Sequence, residues 1–243
     1  MISVITFDLD NTLWEIDPVI VRANRAMTEW IAAQLPEAVA RLELKPFMAL
    51  RDRVAAEHPH IAGKPTFLRK KMLYEVFRDL ELEHEHAERM SEQAFEVFYH
   101  HRNQVTLFHD AEELLHNLSR RYTLIALTNG NADLERIGID RYFAAHFNAD
   151  KVARPKPYAD MFQAALDFAG VKPEQCIHIG DHPDEDVAAA AALGFHTIWF
   201  QPPYAKPRPG FEPAYHATEL KQIPDMIRDI EESSGTQVPE PHR

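Results

Sequence analysis

The sequence has 243 residues, of which 45% are hydrophobic, and a formal net charge of -12. The length suits one core domain with an insert, and the single cysteine, Cys176, excludes an internal disulfide and a thiolate metal cluster. The negative charge disfavours binding to nucleic acid and to anionic membranes, so we expect neither as a partner.

The first predicted element is a buried strand over residues 2–7, where the side chains are mostly apolar or β-branched. Between about residues 17 and 102 the apolar residues recur at helical spacing without a strand pattern, which predicts a block of about four helices. Strands are then predicted at residues 123–127, 146–149, 176–179 and 197–200. Helices are predicted around them, at residues 110–121, 133–137, 158–169, 187–193 and 219–232, the first of them capped by Asp110.

Strands that alternate with helices are typical of an α/β fold with a doubly wound parallel sheet. We therefore predict a Rossmann-type core from residues 1–14 and 105–232, interrupted by an all-helical domain over residues 15–104. The residues from 233 to 243 are polar and are predicted to be disordered. In a sheet of this kind, ligands bind beyond the carboxyl ends of the strands.

Polar residues that could take part in catalysis or ligand binding follow the predicted strands or lie between them. They are Asp8, Asp10, Thr128, Asn129, Lys156, Asp181 and Asp186. Because the carboxyl ends of parallel strands meet at one edge of the sheet, we expect these side chains at one site.

Phosphoryl transfer would use this set. Asp8 can attack phosphorus as a carboxylate, and Asp10 can protonate the leaving oxygen and later activate water. Lys156, the Thr128 hydroxyl and the backbone N–H of Asn129 can bind the phosphoryl oxygens and stabilise their charge. The sequence therefore predicts hydrolysis of a phosphate monoester.

The acidic residues also predict a magnesium site. A hard cation with oxygen ligands suits Asp8, Asp181 and a backbone carbonyl, with several waters retained. In a protein of net charge -12, the cation and Lys156 would also offset repulsion between the clustered carboxylates and an anionic substrate.

These residues fall into a pattern that resembles the haloacid dehalogenase superfamily of phosphohydrolases. The pattern is D-x-D-x-T from Asp8 to Thr12, a strand-ending Thr128, Lys156 before a proline, and G-D-x-x-x-x-D from Gly180 to Asp186. The four motifs stand in the family's order, and the resemblance extends to about Phe200. It implies a haloacid dehalogenase-like core, with the helical block as a type 1 cap that closes over the site.

The resemblance also implies roles for the acidic residues. Asp8 would be the nucleophile and Asp10 the acid and base. Asp8, the Asp10 carbonyl and Asp181 would bind Mg²⁺, and Asp186 would support them. The family's dehalogenases lack the second aspartate because a halide needs no proton, so Asp10 argues against dehalogenation.

A narrower resemblance concerns the substrate. The segments F-D-L-D-N-T-L-W from Phe7, T-N-G-N from Thr128 and G-D-H-P-D-E-D from Gly180 are similar to a bacterial branch of the family. That branch includes the flavin mononucleotide and phosphoribitylamino-uracil phosphatase of riboflavin synthesis, which makes a riboflavin-pathway phosphate a candidate substrate. His182 stands where many relatives have serine, and the sequence assigns it no role.

Three alternative functions stay open. A phosphomutase acting on a sugar phosphate keeps both aspartates. A regulatory protein with a phosphorylated aspartate and no turnover would use similar groups, although receiver domains are about half as long and order them differently. A binding protein could have kept the fold and lost activity. The sequence leaves the oligomeric state unknown.

Other residues are weaker candidates. Cap residues that could touch the substrate are Trp14, Asp17, Trp30, Arg69, Lys70 and Tyr99. Among these, Trp30 is better explained as core, and Arg69 and Lys70 as surface. The chain has 14 histidines, several in pairs such as His58 and His60, and solvated helix faces and loops explain these better than a zinc site.

The hydropathy pattern shows no sign of export or membrane insertion. Residues 1–7 lack the basic region and the small-residue cleavage site of a signal peptide. No stretch approaches the ~20 apolar residues that span a bilayer. We therefore expect a cytoplasmic protein.

Overall fold

The computed structural model describes residues 1–202, 204–205 and 210–235. In this part of the chain a single parallel sheet forms the centre of the fold. Its strands are β1 Val4–Phe7, β2 Thr123–Thr128, β3 Ala145–Asn148, β4 Cys176–Gly180, β5 His196–Phe200 and β6 His216–Ala217. They lie in the order β3-β2-β1-β4-β5-β6.

The strand β1 occupies the middle of the sheet, between β2 and β4. Phe7 is in register with Ala126 of β2 and with Ile179 of β4, so the segments after these strands leave the same edge. The strand order reverses at β1, which is the switch point where doubly wound sheets bind ligands. Asp8 is the first residue beyond β1 at that point.

Five of the six α-helices between β1 and β2 follow β1 as one block. They are α1 Asp17–Gln34, α2 Val39–Leu42, α3 Leu44–Glu57, α4 Pro65–Arg78 and α5 His84–Arg102. The apolar faces of α1, α4 and α5 form a hydrophobic cluster of their own, centred on residues such as Met27, Leu73 and Phe98. The predicted all-helical block is therefore confirmed, while its limits at residues 15 and 104 stay a prediction.

Five further α-helices belong to the described part of the core. They are α6 Ala111–Ser119, α7 Leu134–Ile137, α8 Asp160–Ala169, α9 Ala189–Ala192 and α10 Ile223–Gly235. Ile5 and Phe7 of β1 pack in the cluster that contains α6 and α10, whereas Val4 packs with α8 and α9. The sheet is thus covered on both faces, which explains its continuous apolar strands and confirms the α/β prediction.

The prediction that the Asp110 side chain caps the N-terminus of α6 is wrong. Asp110 does precede α6, but its backbone is left-handed, with φ 68°, and its side chain accepts no bond from the first turn. An N-cap residue usually has extended backbone, which aims its oxygen at the free N–H groups of the helix. The carboxylate of Asp110 instead pairs with the neighbouring His109 at 2.5 Å.

Three other elements differ from their predictions. The helix predicted at residues 187–193 starts earlier, as a π-helical turn over Pro183–Ala188 that leads into α9. The short strand β6 had no prediction, because two residues carry too little periodicity. Residues 233–235, predicted as disordered, continue α10, and the rest of the predicted tail lies outside the described residues. None of the described helices is both long and apolar enough to cross a membrane.

Candidate active site

The loop after β1 carries the predicted nucleophile. Asp8 is 6% exposed, and both oxygens of its carboxylate accept a hydrogen bond. Lys156 Nζ lies 2.8 Å from Oδ1, and the hydroxyl of Thr12 donates to Oδ2 at 3.1 Å. Asn11, with φ 62°, adopts the left-handed conformation that asparagine tolerates, and its N–H donates to the Trp14 carbonyl, which closes the loop.

Lys156 reaches Asp8 from the segment between β3 and α8. Its ammonium group also bonds Oδ1 of Asp186 at 2.5 Å. Burial alone would lower the pKa of Lys156, but the carboxylates of Asp186 and Asp8 outweigh it and raise the pKa, so the ammonium group stays charged. The side chain of Asn129 holds the backbone of Lys156 through bonds of 2.8 Å to its N–H and to its carbonyl.

The side chain of Asn129 has a role besides the predicted backbone contact with phosphate. Its side-chain amide is used to place Lys156 and also donates to Glu185 at 2.8 Å. The side chain of Asn129 therefore fixes the backbone position of Lys156, and the backbone N–H of Asn129 is left for the predicted contact with phosphate.

The fourth motif is held together by close packing at Gly180. A Cβ atom at this position would lie 2.4 Å from Cγ of Asp186, so only glycine allows the carboxylate to approach the strand. The carboxylate of Asp186 accepts a bond from the backbone N–H of His182 at 2.9 Å and from Nε2 of His178 at 3.1 Å. Burial would raise the pKa of Asp186, but Lys156 and His178 outweigh it and hold the pKa below its usual range.

His182 has a structural role. Its Nδ1 accepts hydrogen bonds from the N–H groups of Asp184 and Glu185 at 3.2 and 3.1 Å. It therefore caps the π-helical turn that carries Asp186. A serine hydroxyl can cap a helix in the same way, which explains how histidine can stand where relatives have serine.

The acidic residues form a group that fits a hard cation. Oxygen atoms of Asp8, Asp181 and Asp186 lie within 4.8 Å of one another. Burial and then the neighbouring carboxylates raise the pKa of Asp181 to about 8, and burial together with nearby carboxylates raises that of Asp8 to about 7 although Lys156 opposes them. If all three carboxylates were ionised beside the one ammonium group, two negative charges would be unbalanced, which adds to burial in raising the pKa values of Asp8 and Asp181. Oxygen donors with this charge suit a divalent cation such as Mg²⁺.

Asp10 is bound by a residue that the sequence did not indicate. Arg102, the last residue of α5, is 1% exposed, and its Nη2 lies 2.8 and 2.7 Å from the two carboxylate oxygens of Asp10. Its Nε donates to Asn131 at 3.1 Å. Trp14 Nε1 also donates to Asp10 at 2.8 Å. Arg102 and Trp14 therefore fix the orientation of the predicted acid and base.

Thr128 lies beside the same carboxylate. Its hydroxyl oxygen accepts a bond from the backbone N–H of Gly130 at 3.0 Å, which leaves its proton to be donated. A Cβ atom at Gly130 would lie 2.4 Å from Oδ2 of Asp10 and 2.9 Å from Nη2 of Arg102. Glycine at position 130 therefore lets the loop after β2 approach Asp10, the predicted acid and base.

The structure brings the strand-end residues together as expected, but it treats the cap candidates differently. Asp17 is exposed, Trp30 packs against the hydrophobic cluster of α1, α4 and α5, and Lys70 pairs with Glu92 at 2.5 Å. Tyr99 donates to Asp133 at 3.4 Å. Arg69, predicted to lie on the surface, is only partly exposed.

Three comparisons with known proteins agree with this geometry. A family model described as a haloacid dehalogenase-like hydrolase matches residues 2–194. The 5-amino-6-(5-phospho-D-ribitylamino)uracil phosphatase of Escherichia coli is 30% identical over 201 residues, which cover 83% of this chain and 84% of the relative. The ribulose-1,5-bisphosphate 5-phosphatase of Halopiger xanaduensis is 26% identical over 213 residues, which cover 83% of this chain and 86% of the relative.

A solved structure is also similar over nearly the whole chain. The crystal structure of a 2-haloacid dehalogenase from Pseudomonas syringae pv. tomato has a TM-score of 0.89 and 33% identity. The match covers 94% of this chain and 99% of the other.

Proposed function

The chain belongs to the haloacid dehalogenase-like hydrolases and is a phosphoric monoester hydrolase, and we propose that it cleaves a small-molecule phosphate through a phosphorylated Asp8. The observation that carries the proposal is the fixed carboxylate of Asp8, whose two oxygens are bound by Lys156 and Thr12. Asp10 follows on the same loop and is oriented by Arg102. The loop thus supplies both the nucleophile and the proton carrier of a two-step hydrolysis.

In the first step a carboxylate oxygen of Asp8 bonds to phosphorus as the bond from phosphorus to the ester oxygen breaks. The ester oxygen takes a proton from the Asp10 carboxyl group and leaves as an alcohol. In the second step Asp10 takes a proton from water, whose oxygen bonds to phosphorus. The bond to Asp8 then breaks, which releases inorganic phosphate and restores the carboxylate. Lys156 and the Thr128 hydroxyl bind the phosphoryl oxygens throughout.

We propose that Mg²⁺ is held by Asp8, Asp181 and the backbone carbonyl of Asp10, with Asp186 supporting them. When bound, it supplies positive charge to a site where carboxylates and the substrate are all anionic. The carboxylate of Asp10 does not belong to the acidic group and is bound by Arg102, which leaves it to proton transfer.

The acidic group predicts how stability depends on pH and metal. The raised pKa values of Asp8 and Asp181 mean that the folded state holds protons which the unfolded state has lost. Without metal, their contribution to the free energy of unfolding therefore falls as pH rises from about 4 to about 7 or 8. Mg²⁺ needs the ionised groups, so the increase in Tm that it causes over EDTA should grow between pH 5 and pH 8.

Thermal unfolding at several pH values, with Mg²⁺ or with EDTA, measures this difference. Asp181→Asn should reduce the increase in Tm, while Asp184→Asn, at an exposed position of the same motif, should keep it. An increase in Tm that is the same at pH 5 and pH 8 would contradict the assignment of the cation to this group.

Arg102 should matter most when the leaving group needs a proton. Arg102→Lys keeps the charge but loses the contact of one nitrogen with both oxygens of Asp10. We expect kcat/KM for an alkyl phosphate to fall about 10²-fold, as when general acid catalysis is impaired. For p-nitrophenyl phosphate, whose leaving group is stable as an anion, the loss should be much smaller. Arg136→Lys, at a half-exposed arginine that pairs with Glu96 of α5, serves as the control. Equal losses on both substrates would show that Arg102 does not act through Asp10.

We propose a phosphate of the riboflavin pathway, such as 5-amino-6-(5-phospho-D-ribitylamino)uracil or flavin mononucleotide, as a first candidate substrate. The support is the similarity to the E. coli uracil phosphatase over most of both chains. We also propose that residues 15–104 act as a cap that covers the site.

A phosphate-release screen with Mg²⁺, and with EDTA as control, tests these proposals. The panel contains flavin mononucleotide, 5-amino-6-(5-phospho-D-ribitylamino)uracil, sugar phosphates, nucleoside monophosphates and phosphoglycolate. Halide release from a 2-haloacid is measured in parallel. Preferred phosphate release from the riboflavin-pathway phosphates supports the proposed substrate. Preferred release from another phosphate supports only the proposed phosphatase reaction and contradicts the proposed substrate. Halide release without phosphate release would favour a dehalogenase, and fast isomerisation of β-glucose 1-phosphate with slow hydrolysis would favour a mutase.

A further inference from the structure

Arg69 is a cationic residue of the cap without an acidic partner. Its Nη1 donates to the neutral Asn24 of α1 at 2.8 Å. Its guanidinium stacks on Phe98 of α5, with Cζ 3.7 Å from the ring centroid. Among the residues that the structure describes, no carboxylate forms an ion pair with it, whereas the next residue, Lys70, pairs with Glu92.

The surroundings of Arg69 make an unpaired charge costly. The residue is partly exposed, yet its guanidinium lies deep enough that burial, with a smaller effect of the nearby Arg51, lowers its pKa to about 10. The group is still charged at neutral pH. A charge that has lost much of its water and has a second cation nearby is stabilised when an anion binds to it. Because part of Arg69 is accessible to solvent, a small anion can approach its guanidinium.

Two sets of contacts connect Arg69 to the residues around Asp10. Phe98, on which Arg69 stacks, precedes Arg102 by one turn of α5, a rise of about 6 Å, and Arg102 binds the acid and base. Thr66 lies on the same face of α4 as Arg69, three residues earlier. The hydroxyl of Thr66 accepts a bond from Asn131 at 3.1 Å, and Asn131 also accepts the bond from Arg102.

We propose that Arg69, together with Asn24, binds a second anionic group of the substrate, a carboxylate or a second phosphate, while the scissile phosphate lies at Asp8. The stacked guanidinium has a fixed plane, and the donors that Asn24 does not use can form paired hydrogen bonds with an oxyanion. This inference rests on the proposed function, because it assigns the substrate's far end to the same site. It favours small phosphate monoesters with a negatively charged tail over the riboflavin-pathway phosphates, whose far ends carry no charge at neutral pH.

The test compares substrates that differ only in the charge of the tail. The pairs are 3-phosphoglycerate with glycerol 3-phosphate for a carboxylate, and fructose 1,6-bisphosphate with fructose 6-phosphate for a phosphate. We expect the wild type to have a higher kcat/KM for the charged member of at least one pair. In Arg69→Gln this preference should fall at least tenfold, through KM, and in Lys70→Gln it should be retained. The pair that responds identifies the anion.

Binding to the Asp8→Asn protein, measured by calorimetry with the same pairs, separates this inference from the proposed function. A preference for the charged member that Arg69→Gln removes supports the inference even if the wild type shows no turnover. A wild type without such a preference, or a preference that survives in Arg69→Gln, overturns it. An equal loss of binding to flavin mononucleotide and to 3-phosphoglycerate also overturns it, because Arg69 would then contact the substrate irrespective of tail charge.

Discussion

Asp8→Asn should reduce Mg²⁺-dependent release from p-nitrophenyl phosphate to background, a loss on the order of 10⁴-fold or more. The amide cannot supply the anionic oxygen that attacks phosphorus, and no other carboxylate in the described site is held by both Lys156 and a hydroxyl. The measurement is steady-state phosphate release from purified protein in excess Mg²⁺.

The same variant should remain folded. Asp8 is one of three carboxylates around one ammonium group, and its pKa is raised to about 7, so its charge is unfavourable in the metal-free site. Without metal at pH 8, the Tm of Asp8→Asn should therefore equal or exceed that of the wild type. Asp184→Asn, at the exposed aspartate of the fourth motif, controls for the chemical change and should keep full activity. Activity of Asp8→Asn within tenfold of wild type would exclude Asp8 as the nucleophile.

Lys156→Met should abolish turnover and also lower the free energy of unfolding by about 3–5 kcal/mol, which is typical when one partner of a buried ion pair is removed. Lys156 is 3% exposed and its ammonium group bonds Asp8 and Asp186 at 2.8 and 2.5 Å. Methionine has a similar volume, so the loss is mainly electrostatic. Urea unfolding in EDTA measures the stability, and phosphate release measures the turnover.

The loss of stability should depend on pH with a defined sign. Without Lys156, the buried carboxylates of Asp8 and Asp186 have lost their cation, and protonation relieves the cost. The destabilisation by Lys156→Met should therefore be larger at pH 8 than at pH 5. Lys151→Met, at an exposed lysine of the same loop, should change the free energy of unfolding by less than about 0.5 kcal/mol. A Lys156→Met protein as stable as wild type at pH 8 would show that this ion pair does not support the fold.

The core fold could be predicted from the sequence because its signals are local. The apolar run that ends at Asp8 and the alternation of strands with helices after residue 105 specify a parallel sheet and its ligand-binding edge. Local sequence signals gave a wrong prediction where the backbone conformation determines what a side chain contacts. Asp110 has the residue type of a cap, but its left-handed backbone turns the carboxylate away from α6.

The contact between Asp8 and Lys156 could be predicted because both residues belong to ordered motifs, whereas the partner of Asp10 could not. Arg102 is 92 residues away along the chain and stands in a last helical turn with His100 and His101, where basic residues are common for reasons of helix polarity. The environment of Arg69, which was predicted to be an ordinary surface residue, could not be predicted for a similar reason. Its contacts with Asn24 and Phe98 depend on how α1, α4 and α5 pack, and helical spacing alone does not show that packing.

Because of the close approach at Gly180, a purely apolar substitution there would disturb Asp8, the proposed nucleophile. One added methyl group would collide with the Asp186 carboxylate, which is bonded to the lysine that in turn binds Asp8. A substitution at position 180 would thus displace Asp8 through two charged contacts, from Asp186 to Lys156 and from Lys156 to Asp8. The enzyme's tolerance to mutation at this end of β4 is accordingly limited by volume, so that even a substitution with no charge and no hydrogen-bonding group can inactivate it.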